Sequence, residues 1–162
     1  MSPDPGSVLF VCLGNICRSP MAEAIFLHKA RERGVHTRLV VDSAGTGAWH
    51  VGNRADPRTI EVAGRFGIEV PSIARQVRSP QDFDEFHWII AMDRANHRDL
   101  LSLGAAKHRV HLMRSFDRTL GVDEATAEVP DPYYGEGDGF LRVFEMLDRA
   151  CDGLLDRVLG EE

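Results

Sequence analysis

The sequence holds no apolar run near the ~20 residues that a bilayer-spanning helix requires, and its opening MSPDPGS lacks the basic start and apolar centre of a secretory signal. Both absences point to a cytoplasmic location. Cysteine is scarce, with only Cys12, Cys17 and Cys151, an odd count that builds no disulfide framework and leaves reduced thiols as the default. A basic excess is also missing: 25 Asp and Glu against 19 Lys and Arg give a net charge of −6. That balance argues against non-specific nucleic-acid binding, which needs a basic face to release counterions. The phosphate loop of ATPases, GxxxxGK(S/T), does not occur, so nucleotide binding is not indicated. Repeats, low-complexity blocks and dividing linkers are lacking too. The expectation is a flexible tail over 1–6 and one domain over 7–162, long enough to bury about 70% of the surface its unfolded chain exposes.

What is present is an alternation of short apolar runs and helical patterns. Val8–Val11, Leu39–Val41, Trp88–Met92 and Val110–Met113 read as strands, the first of a kind buried on both faces. Ser19-Pro20 is expected to cap a helix reaching about Arg33, and Asp56-Pro57 a second ending near Gly67. Ser79-Pro80 opens a short third, Asp93 or Arg94 starts one that stops at Gly104, and a long closing helix runs from Phe140. Four such strands separated by helices predict an α/β fold: an open four-stranded parallel sheet with helices on both faces and a phosphate-binding loop after the first strand. Ligands in such folds bind beyond the C-terminal strand ends, and Cys12 sits at one.

The loop from Cys12 to Arg18 carries the chemistry. A cysteine becomes a useful nucleophile where its thiolate is stabilised. Here the following helix N-terminus, the backbone N–H groups of Leu13 to Arg18, the Arg18 guanidinium and the Ser19 hydroxyl are all in position to do so. The same array suits a phosphate: an arginine fork takes two oxygens while amides cradle the others. Gly14 and Asn15 are residue types that tolerate the left-handed conformations of a tight nest.

VCLGNICRSPMAE resembles the signature of the low-molecular-weight protein tyrosine phosphatases. Asp42 to Gly47, Trp49-His50-Val51-Gly52, Ala74-Arg75-Gln76, Met92-Asp93 and Asp131 to Gly135 fall where that family places related segments, so the resemblance covers nearly the whole chain. It implies Cys12 as nucleophile, Arg18 as phosphate ligand, and Asp131 as general acid on the leaving oxygen and then as base toward water. It implies no cofactor and no metal, because amides and Arg18 neutralise the phosphoryl charge. It also implies that Asn15, Ser19 and Ser43 join a network holding the loop, although Ser72 stands where many relatives carry a histidine.

A phosphotyrosine ring needs apolar walls, for which Leu13, Ile16, Trp49, Tyr133 and Tyr134 are candidates, one tyrosine as wall and the other as packing. His50, next to Trp49, is in a position to touch a substrate peptide, with a solvated loop histidine the favoured reading. Protein-arginine phosphatases resemble the chain but usually carry Thr at the position of Ile16. Thioredoxin-coupled arsenate reductases need a further cysteine pair that is missing between Arg18 and Ala150. Cys17 is expected to capture an oxidised Cys12 as a protective disulfide. Cys151 reads as a small buried hydrophobe, and the acidic Asp123, Glu124 and Glu128 as solvated surface. His108 and His111 lack the company of a metal site.

The function expected is hydrolysis of protein phosphotyrosine and aryl phosphates through a cysteinyl-phosphate. The partners expected are a phosphotyrosine protein and an oxyanion in the loop, without nucleic acid or membrane, for a monomer or weak dimer. The alternatives are a phosphatase for phosphoarginine or another phosphomonoester, and, from a different class, a non-catalytic phosphate-binding or thiol redox-sensing module.

Overall fold

The structure is a computed structural model that describes residues 3–121, 127–135 and 137–160. Four parallel strands, β1 (Asp4–Cys12), β2 (Val40–Gly45), β3 (Phe86–Ala91) and β4 (Val110–Leu112), form one sheet in the order β2-β1-β3-β4. The helices are α1 (Arg18–Glu32), α2 (Pro57–Arg65), α3 (Gln81–Glu85), α4 (Arg94–Ser102) and α5 (Gly139–Val158). Alternation along β1 divides the core. Val8, Phe10 and Cys12 face a cluster built from α1, α2 and α5, while Leu9 and Val11 face one that includes Phe83, Leu100 and Ala105. Each of Val8 to Val11 is fully buried, as the uninterrupted apolar run requires when helices cover both sides. Phe10 meets Phe26 of α1 edge to face at 5.5 Å.

Chain direction out of β1 places the site. The chain passes to β2 on one side and later to β3 on the other, so a crevice opens at the C-terminal end of β1. Register pairs Cys12 with Gly45, and Val11 with both Ala44 and Ala91. The loops after β1, β2 and β3 therefore leave the sheet side by side.

The first strand begins at Asp4, inside the segment expected to be a flexible tail. Pro3 is buried, and the Trp88 indole N–H donates to the Pro5 carbonyl at 3.0 Å, which ties this end to β3. Ser19 is not the cap of α1. The N-cap is Cys17, with no side-chain cap bond, because the Ser19 hydroxyl is engaged inside the loop described below. Asp56 and Asp93 do cap α2 and α4, accepting from the N–H groups of Arg58 and Asn96. Met113 leaves β4 for a 3-10 turn over Met113–Phe116. Cys151 lies fully buried in α5, its sulfur 3.8 Å from the Ala22 carbonyl, as expected of a packing residue. Of the acidic stretch, Glu128 is exposed, whereas Asp123 and Glu124 lie outside the described residues. Among the described residues, no helix is long and apolar enough to cross a membrane.

Candidate active site

The Cys12–Arg18 segment is held from outside by donors to its carbonyls. Thr46 N–H donates to the Cys12 oxygen at 3.0 Å, Gly47 N–H to Leu13 at 2.9 Å, and Asp56 N–H to Ile16 at 2.8 Å. In a planar trans peptide the next N–H points away from its carbonyl, so the amides of Leu13, Gly14 and Cys17 turn back toward the centre of the loop. Asn15 supplies the one left-handed non-glycine residue among those described, at φ 56°. Gly14 does not share that conformation; its role is close approach, since a Cβ there would lie 3.0 Å from His50 Cδ2.

Inside the loop Asn15 Nδ2 donates to Ser19 Oγ at 2.8 Å, and Ser19 Oγ lies 3.0 Å from Cys12 Sγ, within hydrogen-bond reach, so the hydroxyl is placed to donate to the sulfur of a thiolate. The Ser19 hydroxyl, in the first turn of α1, thus lies beside the Cys12 sulfur. Asn15 Oδ1 in turn accepts from the Arg75 N–H at 3.0 Å. Ser43, expected in the same network, stands apart from it: its hydroxyl donates to Glu23 Oε1 at 2.5 Å. The buried Ser72 Oγ has no hydrogen-bond partner, so it does not take over the work of a histidine at that place.

Arg18 is 2% exposed, and its guanidinium is aimed by groups from far along the chain. One terminal nitrogen donates to Asp93 Oδ2 at 2.7 Å and to the Val129 carbonyl at 3.0 Å. The other faces Asp131 Oδ2 at 3.7 Å, beyond hydrogen-bond distance, and the buried Nε has no partner. Burial works against the Arg18 charge, but Cys12, Asp93 and Asp131 outweigh it and its pKa is raised. Asp93 is the residue that sequence reasoning missed: one carboxylate oxygen caps α4 and the other fixes Arg18. Its place just beyond the end of β3, next to β1, was the available signal.

A cavity of about 350 Å³ opens over Cys12. Leu13, Gly14, Ile16, Cys17, Arg18, Trp49, Asp131, Tyr133 and Tyr134 all line it, and so does half-buried His50, which sequence reading placed in solvent. Tyr133 packs partly into the core and Tyr134 is 87% exposed, with their rings edge to face at 4.9 Å. Trp49 lies back on Gly47, where a Cβ would meet the indole Cζ3 at 1.8 Å; only glycine lets the ring sit there.

The Asp131–Tyr133 segment is clamped by a second unexpected residue, Arg58. It chelates the Asp56 carboxylate with its Nε and a terminal nitrogen, at 3.0 and 2.8 Å, and donates to the Tyr133 carbonyl at 3.3 Å. Its guanidinium also stands 5.4 Å from the Tyr133 ring and 4.5 Å from Phe140. Asp131 Oδ1 accepts from the Tyr133 N–H at 3.0 Å, which completes the connection from Asp56 to Asp131. Cys17 is a free, buried thiol whose pKa is pushed up by burial and then by the negative charges of Asp56 and Cys12.

Comparison with known proteins gives consistent findings. A family model described as "Low molecular weight phosphotyrosine protein phosphatase" matches residues 7–162. The low molecular weight protein-tyrosine-phosphatase YfkJ of Bacillus subtilis is 45% identical over 157 residues, 96% of this chain and 97% of that protein. A low molecular weight phosphotyrosine protein phosphatase of Schizosaccharomyces pombe is 48% identical over 135 residues, 82% and 84% of the two chains. Among solved structures, the protein tyrosine phosphatase of Entamoeba histolytica with Hepes in its active site superposes with a TM-score of 0.87 at 41% identity, covering 95% and 97%.

Proposed function

The chain belongs to the low-molecular-weight phosphotyrosine protein phosphatases, hydrolases of phosphoric monoesters, and from that premise we propose how its own residues carry the reaction. The substrate is a phosphoprotein whose phosphotyrosine enters the Cys12 cavity. Amides of the loop and Arg18 hold the three non-bridging oxygens. The Cys12 thiolate attacks phosphorus, an S–P bond forms, the P–O bond to the aryl group breaks, and the Asp131 carboxyl delivers its proton to the departing phenolic oxygen. Water then attacks the cysteinyl-phosphate while the Asp131 carboxylate takes its proton. The S–P bond breaks, and phosphate and the thiolate are released. Neither cofactor nor metal takes part in this scheme.

The observation that carries the reading is the hydrogen-bonded chain Asn15–Ser19–Cys12 beneath Arg18, with Asp131 facing the same guanidinium. Binding alone needs neither a stabilised thiolate nor an acid. The aromatic substrate is supported by Ile16, Trp49 and the two tyrosines around the cavity. We also read residues 7–162 as one phosphatase unit acting in the cytoplasm as a monomer or weak dimer, without nucleic acid or membrane. Peroxide would convert the Cys12 thiolate to a sulfenic acid, and Cys17 would displace water from it to form a disulfide that reductant reverses.

The test is turnover of p-nitrophenyl phosphate and of phosphotyrosine, phosphoserine and phosphoarginine peptides by the parent, Cys12→Ser and Asp131→Asn proteins. The expected result is preference for phosphotyrosine, no turnover by Cys12→Ser, and a loss in Asp131→Asn that grows as the leaving group becomes poorer. An inactive parent overturns the catalytic reading; preference for phosphoarginine overturns the substrate.

A further inference from the structure

Trp49 has two sides. One lines the Cys12 cavity; the other lines a separate groove of about 290 Å³, which it shares with Leu13 and with Asp99, Ser102 and Leu103 of α4 and its C-cap. The two spaces thus adjoin along the Leu13–Trp49 edge. Large apolar surface is left open on this edge: Trp49 is 73% exposed, and Leu13 and Leu103 are 41% exposed each. Three such residues around one groove form a patch, where scattered exposure would need no account.

The groove also carries a charge. Asp99, Ser102 and Leu103 fall at i, i+3 and i+4 and so share one face of α4. The positions one turn earlier are Ala95 and Asn96, so no cation on the helix itself neutralises Asp99. Among the described residues the Asp99 carboxylate enters no ion pair.

An indole face, two leucines and an unpaired carboxylate are together complementary to a long side chain with an apolar stem and a cationic head. Such a stem lies along leucine while the head reaches a carboxylate or the face of an aromatic ring, tryptophan best of all. An extended peptide advances about 3.3 to 3.6 Å per residue, so a side chain within three positions of the phosphotyrosine spans about 10 Å. We propose that the Trp49–Asp99 groove is a substrate subsite that takes a lysine or arginine flanking the phosphotyrosine, making the enzyme selective for basic phosphotyrosine sequences. The proposal rests on reading the Cys12 cavity as the phosphotyrosine site.

The test uses the full chain and a set of phosphotyrosine peptides with a single lysine walked through the three positions on either side, each paired with its acetyl-lysine counterpart. Acetylation keeps the stem and removes the charge, so the ratio of kcat/KM within a pair isolates the head group. At one position the ratio is expected to be about fivefold in the parent, the scale of a partly exposed cation–aromatic contact plus an ion pair. It falls to about twofold in Asp99→Asn, which keeps the Trp49 contact, and shrinks with added salt. Equal rates for all pairs, or a ratio unchanged in Asp99→Asn, overturns the subsite. Turnover of p-nitrophenyl phosphate by the same preparation separates the two readings. With that activity present, a failed ratio removes only the subsite; without it, the catalytic reading falls and the subsite with it.

Discussion

Glu23 gives the sharpest stability prediction. Its carboxyl lies half-buried on α1, accepts the Ser43 hydroxyl, and borders a small cavity shared with Arg31, Glu69 and the unpartnered Ser72. Burial raises its pKa first and Asp42 adds to that, while the Ser43 bond and Arg75 act the other way; the balance leaves it at about 7 against an ordinary 4.5. Between these two values the unfolded chain has released a proton that the folded chain keeps, so the unfolded state binds fewer protons and stability falls as pH rises. At about 1.4 kcal/mol per pKa unit the loss comes to about 3 kcal/mol, incurred mainly between pH 4.5 and 7 and constant above. Glu23→Gln keeps the shape and accepts the same hydroxyl proton without titrating. Urea denaturation of parent and variant at intervals from pH 4.5 to 8 isolates the effect as a difference that cancels every other titrating group. The variant is expected to gain on the parent by about 3 kcal/mol across that range. Parallel stability curves, or a gap that closes as pH rises, would refute the reasoning.

Two further outcomes follow from the clamp and the loop. Arg58→Met retains the stem but removes the charge that ties Asp56 to Tyr133, so kcat/KM for phenyl phosphate should fall about threefold to tenfold and that for p-nitrophenyl phosphate far less; equal losses on both substrates would show that Arg58 does not act through the acid. Gly47→Ala puts a methyl group into the Trp49 ring, displacing the indole, and should raise KM for aryl phosphates about threefold with kcat within about twofold; an unchanged KM would remove Trp49 from the pocket wall.

The strands and the position of the Cys12–Arg18 loop were legible because each rests on local pattern. Val8 to Val11 form an apolar run that only a doubly covered strand explains, and Cys12 to Arg18 lie within seven residues. Ser19 was misread as a cap for a physical reason: serine before a proline is a common helix start, and only the fold brings the Cys12 sulfur and Asn15 amide close enough to claim its hydroxyl. Asp93 and Arg58 act across 75 residues of sequence each, on Arg18 and on Tyr133, and no periodicity carries such a pairing. Gly14 illustrates a third case, since its residue type was informative but the cause was the His50 ring and not the backbone angle.

The central position of β1 has a consequence for how the enzyme would fail. Cys12 ends a strand paired on both sides, and Arg18 opens the helix that covers it, so amide hydrogens here should exchange with solvent only when the whole molecule opens. Asp131 follows Val129, which is buried and bonded to Met92 and Arg18, but is itself exposed and joined to the body of the protein through the Arg58 clamp on Tyr133. Such a segment detaches at lower free energy than the sheet. On warming, the Asp131 segment is therefore expected to loosen before the Cys12–Arg18 loop, so that turnover of aryl phosphates with poor leaving groups should fall at lower temperature than turnover of activated esters.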